Sequence, residues 1–98
     1  MRDGLSKMPR VYDAEAVGKR MRTIRTMLGL SQKDFAKFLG VAPQQVNQYE
    51  QGSSRPSFAV ALYLKTTYGV TFDWLYAGDA THLTVGLAHR LAEVEKSL

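Results

Sequence analysis

Apolar positions recur at helical spacing along most of this 98-residue chain. From Glu15 onward, Val17, Met21, Ile24 and Leu28 fall at i, i+4, i+7 and i+11, one face of a helix that Gly29 stops. Ser31 can cap a second helix, with Asp34 three residues on in the place of a capping-box partner. Phe35, Ala36 and Leu39 form its inner face, and Gly40 ends it. Pro43 suits the first turn of a third helix, although Ala42 ahead of it is a poor cap. Ser57 and Thr71 can cap two further helices, FAVALYLKTTY and FDWLYA, closed by Gly69 and Gly78. Beyond Asp79, Leu87, Leu91, Val94 and Leu98 repeat the helical spacing. No segment alternates at the period of a strand. The pattern predicts an all-α chain in three parts. Residues 1–14, without a period and interrupted by Gly4 and Pro9, read as a flexible tail. Residues 15–78 read as a compact helical domain with short connections, and 79–98 as one more helix.

The third helix departs from the ordinary amphipathic pattern. GVAPQQVNQYEQG, from Gly40 to Gly52, holds four glutamines and an asparagine around Val46, Tyr49 and Glu50. At about 3.6 residues per turn, Val46, Tyr49 and Glu50 share the inner side. Gln44, Gln48 and Gln51 form a ridge opposite, flanked by Asn47 and Gln45. An amide presents a donor beside an acceptor, which fits the N6 and N7 edge of adenine in a DNA major groove. On an ordinary surface helix the same glutamines would serve only as polar helix formers.

Charge sharpens that choice. Residues 19–55 carry Lys19, Arg20, Arg22, Arg25, Lys33, Lys37 and Arg55 against only Asp34 and Glu50, whereas residues 56–98 carry three cations and four acids. The whole positive excess surrounds the amide-rich helix, as on a polyanion-binding surface where cations hold phosphates and amides read bases.

Other chemistries find little support. With no cysteine there is no disulfide, thiolate ligand or cysteine nucleophile. His82 and His89 lack a carboxylate cluster or nucleophile at a recognisable spacing, so neither a metal site nor an enzyme is expected, and no cofactor. Trp74 and Tyr76 read as core packing. No apolar run is long enough for a membrane helix, and the N-terminus lacks a signal-peptide core, so a cytoplasmic protein is expected.

Residues 32–51, QKDFAKFLGVAPQQVNQYEQ, fit a twenty-residue two-helix frame: Ala36 where the helices cross, Gly40 at the turn, and Phe35, Leu39, Val41, Val46 and Tyr49 at the mutually buried positions. Together with LGLSQKDFAKFLGV and YGVTFDWLYAG, this frame resembles the lambda-repressor-like helix-turn-helix domain of Cro-type phage repressors and many bacterial regulators, over about Val17 to Gly78. The resemblance implies a five-helix DNA-binding domain, here with an additional C-terminal helix. It implies a sequence-specific transcriptional regulator of the prophage-repressor type, a homodimer on a near-palindromic operator in double-stranded DNA. Carried over by position, Gln44, Gln45, Gln48 and Asn47 would read bases. Gln32, Lys33, Gln51, Ser53 and Arg55 would hold phosphates, and Arg25 would form an ion pair with Glu50 behind the recognition helix. Pro43 stands where relatives often carry a base-reading side chain, and Ala42 replaces the usual Ser or Thr. The stripe on residues 79–98 is expected to be a dimerisation element. The alternative is an antitoxin-like module that binds a protein partner as well as its own operator.

Overall fold

The computed structural model describes residues 3–98, and every regular element among them is helical. In chain order these are α1 (Asp3–Ser6), a 3-10 turn (Arg10–Tyr12), α2 (Ala14–Met27), α3 (Gln32–Leu39), α4 (Pro43–Gln51), α5 (Phe58–Tyr68), α6 (Phe72–Ala77) and α7 (Val85–Ser97). The elements α2–α6 are the five helices that the apolar spacing predicts, and α7 is the additional one.

Local side-chain chemistry starts most of them. Ser31, Ser57, Thr71 and Thr84 each place a hydroxyl oxygen where it accepts from a first-turn N–H of α3, α5, α6 and α7. Asp13 does the same for α2, accepting from Ala16 N at 2.9 Å. That cap lies inside the stretch read as a flexible tail. The 3-10 turn just ahead of it packs against α2 and α6, so the packed domain begins before Glu15. Residues 1 and 2 of that stretch lie outside the described residues. Gly40 closes α3 with φ 73°, the left-handed conformation that lets the chain turn into α4 without a Cβ clash.

The core is built around α2. Val17, Met21 and Ile24 are fully buried beside Phe35, Ala36, Val46, Leu64 and Leu75. Helices α2 and α4 cross so closely at Gly18 that a Cβ there would sit 2.3 Å from the Tyr49 carbonyl oxygen.

The C-terminal helix folds back on the same core. Leu83, Leu87 and Leu91 join the buried cluster, and α7 packs against α2. The stripe expected to form a dimer seam is therefore largely covered within its own chain; Val94 is half-buried and Leu98 stays exposed. An apolar stripe specifies that a helix needs cover, and the open side of α2 provides it.

Candidate nucleic-acid interface

Helix α4 is held from behind by one ion pair. Arg25, on the last turn of α2, donates from Nε to Glu50 Oε2 at 2.6 Å and from Nη2 to Glu50 Oε1 at 3.0 Å. Its remaining Nη1 donates to the Leu30 carbonyl at 3.0 Å. The side chain of Glu50 is only 6% exposed, so the pair is shielded from water and its bidentate geometry fixes the pitch of α4.

From this anchor an amide chain runs toward the surface. Gln32, the first residue of α3, donates through Nε2 to Glu50 Oε1 at 3.2 Å and to Asn47 Oδ1 at 3.3 Å. Gln32 and Asn47 are both half-buried. With Arg22, Arg25, Glu50 and Gln51 they line a shallow cleft between α2, α3 and α4. Asn47 thus sits beside the outward ridge of α4, tied to α3.

The ridge itself is free. Gln44, Gln48 and Gln51 are exposed and make no hydrogen bond within the chain through their side chains. Gln45 is different: its Nε2 donates to Ser54 Oγ at 3.0 Å, which turns the amide toward the loop after α4. In that loop Ser53 and Arg55 are exposed, and Arg55 Nη2 donates to the Tyr12 carbonyl at 3.2 Å. Lys33 is exposed on the first turn of α3. The frame thus brings Gln32, Asn47, Glu50 and Arg25 into one network, leaves Gln44, Gln48 and Gln51 open, and sets Gln45 with Ser54 to one side. Ala42 provides no side-chain cap to α4.

Two arginines of α2 differ from their reading in the sequence. Arg20 is 8% exposed, and its Nη1 donates to the Leu75 carbonyl at 3.1 Å, near the C-terminal end of α6. Desolvation lowers its pKa, opposed by the charges of Glu95 and Asp13. It ties α2 to α6 and adds nothing to the surface around α4. Arg22, counted in the sequence but given no role, stands exposed at the cleft and is a free cation there. Its i, i+3 spacing from Arg25 was the available signal. Behind α4, burial raises the pKa of the Tyr49 and Tyr76 hydroxyls; Tyr76 donates to the Pro56 carbonyl at 2.9 Å and holds the loop against α6.

Among the described residues, no His, Cys, Asp or Glu group forms a metal-binding cluster, and no helix is long and apolar enough to cross a membrane.

Comparison with known proteins gives a consistent picture. An uncharacterized HTH-type transcriptional regulator of Sinorhizobium medicae (strain WSM419) is 45% identical over 49 residues, 50% of this chain and 34% of that protein. An uncharacterized transcriptional regulator in the ATPase CF(0) region of Rhodospirillum rubrum is 34% identical over 70 residues, covering 67% of this chain and 65% of the relative. A propionyl-CoA carboxylase regulator of Cereibacter sphaeroides is 33% identical over 76 residues, 78% of this chain but 16% of its own length. The chain thus spans about a third of the first of these relatives. No solved structure matches significantly. The family model described as Helix-turn-helix matches residues 21–75, more than half the chain, and takes in α3, α4 and the turn at Gly40. By that match and its all-helical frame, the chain belongs to the lambda-repressor-like helix-turn-helix family.

Proposed function

We propose that the chain is a sequence-specific double-stranded DNA-binding transcriptional regulator, a repressor of the prophage type acting as a homodimer on a near-palindromic operator. One observation carries the reading. The outer face of α4 offers Gln44, Gln48 and Gln51 with no partner inside the chain, on a helix pinned from behind by Arg25 and Glu50. With α4 in the major groove, Gln44 and Gln48 meet base edges. Lys33, Gln51, Ser53 and Arg55 surround them and meet phosphates. The regulators named among the relatives support the regulatory half of the proposal.

With the α7 stripe covered, the surface that best supports pairing lies on α5 and α6. Helix α5 is apolar on nearly every side, which suits a helix covered all round. Yet Phe58 is 67% and Leu62 43% exposed, and the Phe58 ring meets Phe72 edge-to-face with centroids 5.4 Å apart. The proposed occupant is a second copy of the chain. The patch opens directly after the loop that follows α4, so pairing there sets the spacing of two recognition helices, about 34 Å for successive half-sites. The antitoxin-like alternative would use the same exposed face for a different protein.

Selection of bound duplexes from a random pool tests the reading. The expected product is a site with two inverted halves, and a pool that shows no enrichment overturns it. Light scattering on the purified chain separates the two partners: a dimer alone supports the repressor, and a monomer that co-purifies with another protein supports the alternative.

A further inference from the structure

Glu50 decides which way the neighbouring amides point. A carboxylate paired with a guanidinium only accepts, so the end of Gln32 that lies 3.2 Å from Glu50 Oε1 is its NH2 group. The same NH2 lies 3.3 Å from Asn47, and an NH2 group only donates, so Asn47 meets it with Oδ1. The polarity set by one charge thus passes through two amides. Both N–H groups of Gln32 are engaged, and the group left over is its carbonyl, an acceptor. The Oδ1 of Asn47 is engaged, and the group left over is its NH2, a donor. Neither leftover group has a further hydrogen-bond partner within the chain. Pro43, one turn before Asn47, has no polar side chain that could take its place against Gln32.

We propose that Gln32 and Asn47 form a DNA base reader of fixed polarity, in which Gln32 offers only an acceptor and Asn47 only donors. This rests on the proposed reading of DNA by α4. A free glutamine can turn its amide over and suit either polarity, and Gln44 and Gln48 keep that freedom. The locked pair does not. Asn47 rejects cytosine, whose major-groove edge offers it only a donor, and suits guanine O6 and N7, thymine O4 or adenine N7, whereas Gln32 selects the amino group of cytosine or adenine. A phosphate oxygen only accepts, so the leftover carbonyl of Gln32 cannot hold one. The Gln32 side chain therefore belongs with the base readers, not with the backbone anchors its family position suggests.

The test uses the full chain and a set of duplexes carrying every single base-pair change in the selected operator. Asn47→Asp keeps the size of the side chain and the acceptor for Gln32, but removes the donor. Its added charge weakens all duplexes together, so the readout is the ratio between them. At one base pair the discrimination against cytosine should be lost and the preference turn toward cytosine or adenine, changed about tenfold or more. Gln32→Met releases the lock by a second route. Asn47 can then turn over, and discrimination at its base pair should relax toward even binding. If both variants keep the wild-type ratios at every position, the fixed-polarity reader is wrong while the DNA-reading proposal stands. If the wild-type chain discriminates among none of the duplexes, the proposed function itself fails and this reader with it.

Discussion

Arg25 is engaged on all of its nitrogens, twice by Glu50 and once by the Leu30 carbonyl. Replacing it with methionine strands a shielded carboxylate against the Gln32 amide alone. Arg25→Met should therefore cost about 3–5 kcal/mol of stability, read by thermal or urea unfolding; an unchanged midpoint would remove the pair from any structural role. Gln44 presents the opposite case. Its side chain is exposed and makes no hydrogen bond or ion pair in the chain, so Gln44→Ala should change stability by no more than about 0.5 kcal/mol. On the selected operator the same change should cost about 1–3 kcal/mol and relax preference at one base pair. Equal weakening of operator and random DNA in a fluorescence titration would show that Gln44 does not read a base.

Helices α2 and α4 are separated by a single glycine's width. A Cβ on Gly18 would meet two carbonyl oxygens, at 2.3 Å from Tyr49 and 2.9 Å from Glu50, and both belong to the backbone. Gly18→Ala must push the helices apart and should cost on the order of 1–3 kcal/mol, with weaker operator binding because α4 moves with the strain. Helix α7 is equally bound to the core. Leu91 is 1% exposed, and Leu91→Ala should cost about 2–5 kcal/mol in unfolding experiments. Removal of residues 80–98 should leave α2 uncovered and lower the melting temperature, rather than leave an intact five-helix domain. The caps at Ser31, Ser57 and Thr71 and the turn at Gly40 were legible in the sequence because capping and left-handed turns depend on residues within one turn of each other. The close approach at Gly18 was not, since it depends on where a distant helix crosses. Arg20 looked like surface charge because its acceptor, the Leu75 carbonyl, lies 55 residues away. Asn47 looked like a flank of the ridge because helical angle reveals direction but not the glutamine waiting on α3. The stripe on α7 announced burial without naming its cover.

At the scale of the molecule, the exposed α5–α6 face and the α4 face lie on either side of the loop at 52–57. Phe58→Glu puts a charge on the apolar patch at a position already 67% exposed, so the monomer should keep its fold. On the proposed pairing, sedimentation should then show one chain for the variant and two for the wild type, and operator binding should weaken although none of the proposed DNA-facing residues has changed. A dimer that survives this substitution places the seam elsewhere. The outer ridge of α4 carries no formal charge at all, while the cations stand around it at Lys33, Arg22 and Arg55. Counterion release is therefore assigned to the surround and not to the ridge. Raising ionic strength should weaken operator and random duplex along nearly parallel lines, so that discrimination holds while affinity falls. Arg55→Ala should flatten both lines by about one unit of slope, whereas Gln44→Ala should leave the slope where it was. On the proposed reading, a ridge of neutral amides would give this protein a sequence preference that survives changes in the salt content of its surroundings.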